Sequence, residues 1–160
     1  MADLTANNTG IVIQGGYPMS LKIADGVTVA VGGLVQNEAG FANHWDASGT
    51  PDVFLGVVAG GDSRDDTGTL LGETSDDNPP RAHIRCGATL CHLDSVGGSP
   101  TVSGVLVYGA DSDPDSLTVT DPGTEPVGWI KEFRSATDLD VQLFTPAEYQ
   151  AGIASGTWIA

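Results

Sequence analysis

Residues 139–144 read Leu139-Asp140-Val141-Gln142-Leu143-Phe144, so apolar and polar side chains alternate. Because successive side chains of a β-strand point to opposite faces, Leu139, Val141 and Leu143 are expected to bury one shared face. Short apolar runs recur along the chain, with Gly, Pro, Asp and Asn between them. Many short strands separated by turn residues predict an all-β fold, either a sandwich or a small β-barrel. The other runs include 11–13, 27–31, 54–58, 82–86, 104–108 and 126–130.

The segment after these strands has the signature of a helix start. Thr145 is a suitable N-cap, Pro146 suits the first helical position, and Glu148 completes a capping box three residues after the cap. The pattern predicts a short helix over about 146–151, ended by Gly152.

The chain is therefore expected to have one main domain with two terminal extensions. The first residues are polar and resemble an arm that becomes ordered against a partner. The predicted parts are an N-terminal arm with the first strands over 1–24, a β-rich domain over 25–144, and a short helix with an apolar tail over 145–160.

The charge of the chain is strongly unbalanced. Its 160 residues include 21 Asp and Glu but six Lys and Arg, which gives a formal net charge of −15. Such a surface repels nucleic acid and anionic membranes, so neither is expected as a direct partner. Three long acidic loops are predicted at about 59–80, 93–103 and 110–125, and the second of them is also rich in Gly and Ser. We find no signal-peptide pattern at the start and no apolar run long enough to span a bilayer.

Four potential zinc ligands lie within ten residues: His83, Cys86, Cys91 and His92. Their spacing is unfavourable, because residues three apart or adjacent in a strand point to opposite faces. A zinc site and a Cys86–Cys91 disulfide both stay open, but we expect two small buried thiols instead. We therefore expect no metal site and no cofactor.

The run Asp111, Asp113 and Asp115 has the alternate spacing that opens a calcium loop. However, Ser116 occupies the position of the sharp-turn Gly, and Pro122 that of the bidentate Glu. A solvated turn is the preferred interpretation.

A catalytic site is not indicated. A nucleophile needs a base, and the base needs an orienting group. His44 precedes Trp45 and Asp46, but no spacing links it to Ser95 or Ser99. We therefore expect no enzyme activity, and we keep a small hydrolase built around His44 as a remote alternative.

Residues at both ends are the candidates for contact with other subunits. Trp is enriched among interface anchors, and the apolar end Trp158-Ile159 is unusual for so acidic a chain. The alternative is that this tail folds back onto its own domain. The predicted capsid or subunit interface residues are Leu4, Thr5, Asn7, Asn8, Ile11, Tyr149, Trp158 and Ile159.

Three stretches resemble the head decoration, or capsid cement, proteins of tailed phages. They are Asp25–Val35 continuing through Glu38–Ala42 to Phe54–Val58, then Gly104–Tyr108, then Pro126–Ile130 followed by Asp140–Phe144. The similarity covers about 25–58 and 82–144. It implies a small β-barrel or β-tulip domain that binds the major capsid protein on the capsid exterior. It also implies homotrimers at three-fold and quasi-three-fold positions, with an N-terminal arm on the capsid protein.

The sequence thus favours a structural protein that cements a phage head against internal DNA pressure. A clamp of this kind stabilises a shell because it binds the assembled form better than free subunits. The alternative is a virion-displayed or secreted β-sandwich that binds carbohydrate, based on the acidic loops with Trp45 and Tyr17.

Overall fold

A computed structural model describes residues 11–47, 52–61, 70–72 and 79–158. These residues form mostly short β-strands, followed by one helix, which confirms the predicted all-β class with a C-terminal helix. None of the helical structure in these ranges is long and apolar enough to cross a membrane. The elements are β1 Val12–Gln14, β2 Tyr17–Lys22, β3 Thr28–Val29, β4 Leu34–Glu38, β5 Phe41–His44, β6 Val53–Gly61, β7 Leu70–Leu71, β8 Arg81–Cys86, β9 Thr89–Leu93, β10 Leu106–Val107, β11 Gly128–Ser135, β12 Asp138–Leu143 and α1 Pro146–Ser155.

The strands form three antiparallel sheets. The first has the order β1-β9-β12-β11-β10, the second β2-β8-β6-β4-β5, and the third pairs β3 with β7. The second sheet curls until Ile23 bridges Ala42 at its far edge, but none of the sheets closes into a barrel. The sandwich interpretation is therefore confirmed, and the β-barrel or β-tulip interpretation is not.

The two large sheets are joined by a bent two-stranded ribbon. The strands β1 and β2 run against β9 and β8, with Val12 opposite Cys91 and Tyr17 opposite Cys86. Gly15 and Gly16 lie between β1 and β2 and have φ values of 69° and 73°, which Gly adopts without steric cost. The ribbon thereby passes from one sheet to the other at a glycine corner, as strands do where packed sheets share an edge.

Two hydrophobic cores lie on opposite faces of the second sheet. Adjacent residues of β4 show the division: Leu34 faces the first sheet and the helix, whereas Val35 faces β3 and β7. The larger core contains Trp45, Phe54 and Tyr149, whose rings meet edge-on or tilted at centroid distances of 5.2–6.2 Å. Such pairs add about 0.5–1.5 kcal/mol each beyond the burial of apolar area.

The helix begins as predicted but ends later. Thr145 Oγ1 accepts a hydrogen bond from the Glu148 backbone N–H at 3.0 Å, and Glu148 Oε1 accepts one from the Thr145 N–H at 3.0 Å. The predicted end at Gly152 is wrong, because the helix continues to Ser155 and stops at Gly156, which has a φ of 71°. Gly152 is buried inside the helix, where a Cβ atom would collide with the Trp158 ring.

Two of the predicted loops contain ordered structure. The segment 59–80 includes the end of β6 and the short strand β7, which pairs with β3. The segment 110–125 includes a 3-10 turn over Pro114–Ser116. The strands β5 and β9 were not predicted, since Phe41-Ala-Asn-His44 has only two apolar residues and Thr89–Leu93 contains the potential metal ligands Cys91 and His92.

Candidate interaction surfaces

The predicted interface residues divide into two groups. Leu4, Thr5, Asn7, Asn8 and Ile159 lie outside the described residues. Ile11 is half-buried against the larger core, Tyr149 is fully buried within it, and Trp158 packs on its outside. The structure therefore places Ile11, Tyr149 and Trp158 in or on one core of the chain itself. Their role as contacts with another subunit stays a prediction.

The tail folds back onto its own domain as far as Trp158. The Trp158 ring stacks on Phe144 at a centroid distance of 5.6 Å and an interplanar angle of 28°. It also lies against Tyr149, with the centroids 5.7 Å apart. Since Gly152 leaves the room for this ring, the end of the helix and the tail form one packed unit.

The aromatic residues considered for sugar binding do not form a platform. Trp45 is fully buried, and its Nε1 donates a hydrogen bond to the Gly109 carbonyl at 2.6 Å. A buried ring is not available to stack on a sugar. Tyr17 is 45% exposed, but it lies on the bent ribbon and is not part of the Trp45 aromatic cluster.

The four potential zinc ligands point apart. Cys86 and Cys91 are buried free thiols, whereas His83 and His92 are exposed. Burial raises the pKa of both thiols, which favours the protonated form over the thiolate that binds metal. The geometry agrees with the expected small buried residues.

The turn that contains Asp111, Asp113 and Asp115 is not fully solvated, because Asp111 is buried. Asp111 is 4% exposed, and its Oδ1 accepts hydrogen bonds from the Asp113 N–H at 2.9 Å and from Ser116 Oγ at 2.8 Å. Asp113 in turn accepts from the Asp115 N–H at 3.0 Å. The carboxylates hold the backbone of the turn, so the solvated-turn interpretation is wrong for Asp111.

Sequence reasoning missed a charged cluster at the β11–β12 hairpin. Arg134 Nε lies 3.0 Å from Asp138 Oδ2, its Nη1 lies 3.0 Å from Glu132 Oε2, and its Nη2 pairs with Asp140. His92 Nδ1 lies 2.8 Å from Asp138 Oδ1. The pairing of β11 with β12, which sets Glu132 opposite Asp140, is the signal that identifies the cluster.

This cluster is an ion-pair network centred on a guanidinium. Hydrogen bonds from Arg134 hold the pKa of Asp138 and of Asp140 below the usual range of a carboxyl group, and His92 adds to the effect at Asp138. His92, Asp138 and Asp140 approach each other closely enough to hold a metal ion, but the Arg134 guanidinium already pairs with both carboxylates. The cluster therefore links β9 to the end of the β11–β12 hairpin through ion pairs.

A second charged surface lies on the outer side of the β2–β8 ribbon. Residues directly opposite in an antiparallel pair point to the same face of the sheet. Met19, Leu21 and Ile84 turn inward to the smaller core, so their neighbours turn outward. The outward pairs are Pro18 with Arg85, Ser20 with His83, and Lys22 with Arg81. We call the side chains of Lys22, Arg81, His83 and Arg85 the basic face.

An open groove of about 540 Å³ lies beside the basic face. Pro18 and Ala59 are exposed apolar residues of its lining, and Met19 and Ile84 also line it although their side chains pack into the smaller core. Arg85 lines the same groove. A groove with an apolar lining and a charged rim has the make-up of a protein contact surface.

Comparison with known proteins shows that the fold of this chain is similar to that of one solved structure. No family model matches the sequence, and no curated protein matches it. A solved structure described as the capsid of Myoviridae phage XM1 contains a chain with a TM-score of 0.50 and 18% sequence identity. The match covers 91% of this chain and 93% of that one, so the two share an architecture over nearly their whole lengths.

Proposed function

We propose that this protein is a structural component of a phage virion that binds the outside of the head and stabilises the lattice of the major capsid protein. The carrying observation is the fold shared with a chain of the phage XM1 capsid over 91% of the present chain. The sequence resemblance to head decoration proteins, based on other features of the chain, supports the same role.

The composition supports a position on the exterior. Packed DNA inside a head is polyanionic, and a chain with a net charge of −15 is repelled by it. A clamp on the shell needs broad contact of roughly 1,200–2,000 Å² and not a deep pocket. The described surface offers an open groove and a basic face for such contact.

The proposed oligomer is a homotrimer at three-fold and quasi-three-fold positions, with the major capsid protein as partner. A three-fold ring places one copy beside each of three capsid subunits, which matches the symmetry of the lattice. The residues outside the described part at both ends, including Leu4, Thr5, Asn7, Asn8 and Ile159, are proposed to contribute to these contacts.

The decisive test is binding to shells assembled from the major capsid protein encoded in the same genome. We expect the purified chain to sediment with expanded shells and to appear as protrusions at three-fold positions by electron microscopy. In solution it should have about three times the mass of the 16.4-kDa chain.

Particles that lack the protein should release DNA at a lower temperature than complete ones. Equal thermal stability of the two would contradict the cementing role.

A further inference from the structure

The few basic side chains of this acidic chain are concentrated on one face. Lys22, Arg81 and Arg85 are three of the six Lys and Arg residues, and all three lie on the outer side of the β2–β8 ribbon. Lys22 stands directly opposite Arg81, an arrangement of like charges that destabilises an isolated sheet. Such a cost is offset when an acidic partner covers the face.

These charges have no acidic partner within the ranges that the structure describes. Arg81 donates hydrogen bonds from Nε to Ser20 Oγ and from Nη2 to the Ser20 carbonyl, both at 2.8 Å. These bonds fix the guanidinium in place without neutralising it. Arg134 shows the contrast, since three carboxylates surround it. Lys22, Arg81 and Arg85 are thus cations without a carboxylate partner among the described residues, and Arg81 is fixed by its hydrogen bonds to Ser20.

We propose that the basic face is the surface that docks on the shell, and that it binds an acidic patch of the capsid protein with an apolar side chain seated in the adjoining groove. The inference rests on the proposed function and specifies its contact. The rest of the chain carries the excess negative charge and repels an acidic patch. Approach with the basic face inward is therefore electrostatically favoured, which fixes the orientation of docking.

The test compares charge reversals on and off this face. Arg85 and Lys22 are exposed, and Lys131 is an exposed cation on β11 of the first sheet. Arg85→Glu and Lys22→Glu are each expected to weaken co-sedimentation with shells by roughly tenfold or more. The matched control, Lys131→Glu, makes the same change in net charge and is expected to leave binding within about twofold. Circular dichroism and thermal unfolding check that every variant is folded.

Salt dependence provides a second readout. Raising NaCl from 50 to 500 mM should weaken shell binding by the wild type more than the residual binding by the Arg85→Glu variant. The variant lacks the ionic contact between Arg85 and the acidic patch, so less of its binding energy can be screened by salt.

The outcomes separate the two proposals. If the wild type does not bind shells, the proposed function fails and this inference falls with it. If the wild type binds and both reversals bind equally well, the docking face is elsewhere while the proposed function stands. Two further results would also overturn the inference. One is loss of self-association in Arg85→Glu with shell binding intact, which would make a second copy the occupant. The other is binding of a short DNA duplex through this face.

Discussion

Arg134 shows how a single side chain organises a surface in a protein with few cations. Glu132 and Asp140 are directly opposed across the β11–β12 hairpin, where two like charges repel. The Arg134 guanidinium forms ion pairs with both carboxylates and with Asp138, and these attractions offset the repulsion between Glu132 and Asp140. Because these side chains are all at least partly exposed to solvent, the network is expected to contribute little to stability at high salt, and its contribution is expected to depend on pH.

At the residue scale, we expect Arg134→Gln to lose stability at neutral pH and to converge with the wild type in acid. The pKa values of Asp138 and Asp140 are lowered in the folded state. Their contribution is therefore complete above the unfolded pKa of about 3.9 and is lost as the pH falls through the lower folded values. Urea unfolding at pH 7, 5 and 3 measures the difference between the two proteins.

A matched control for this test is Lys131→Gln on the same strand. Lys131 has a hydrogen bond to Thr89 Oγ1 at 3.5 Å but no carboxylate partner in the described structure. Its effect on stability should not shrink between pH 5 and pH 3 as that of Arg134→Gln does. A constant difference between wild type and Arg134→Gln down to pH 3 would contradict the role assigned to the ion pairs.

At the element scale, the glycine corner of the bent ribbon joins the two sheets. A Cβ atom on Gly16 would lie 2.5 Å from the Cys86 carbonyl oxygen and 2.9 Å from the Ala88 nitrogen, whereas Gly15 has open space around it. Both residues have positive φ values. The two positions therefore share the backbone conformation and differ in how closely the opposite strand approaches.

We expect Gly15→Ala to cost about 1–2 kcal/mol, the penalty of a left-handed conformation for an L-residue. Gly16→Ala should cost at least about 2 kcal/mol more, because backbone atoms of the opposite strand must shift. Chemical denaturation of both variants measures the difference. Equal costs would mean that the corner is not held by the close approach of the two strands.

The elements differ in how well sequence alone predicts them. The alternation in 139–144 correctly placed Leu139, Val141 and Leu143 in the core, and the capping box correctly placed the helix start. Both signals are local. The helix runs past Gly152, where the Trp158 ring packs, and ends at Gly156 in a left-handed cap. Both glycines carry the same local stop signal, so propensity alone does not distinguish them.

The basic face and the Arg134 network were less predictable, because both depend on tertiary structure. Arg81, His83 and Arg85 alternate in the sequence, but Lys22 joins them only through the register of β2 with β8. The Arg134 network likewise requires the hairpin register. A single sequence does not specify which strands pair, so a cluster assembled across strands is visible only once the sheet order is known.

At the scale of the whole molecule, repulsion among the acidic groups is expected to outweigh the attraction of the ion pairs. The net charge is −15, and the salt bridges between described residues all belong to the Arg134 and His92 cluster. Added salt screens many repulsions but few attractions. Self-repulsion destabilises a compact state, so screening is expected to stabilise the folded chain.

We therefore expect the Tm to rise as NaCl increases from 20 to 300 mM at pH 7, by about 2–4 °C for each kcal/mol of repulsion removed. Scanning calorimetry at a fixed protein concentration measures the rise, since association also changes the Tm. Lys131→Glu makes the net charge more negative by two without breaking an ion pair between described residues, so the Tm of this variant should be more salt-dependent than that of the wild type. A Tm that falls with NaCl would show that attractive pairs dominate the electrostatics, and the excess acidic charge would then not limit the stability of the isolated chain.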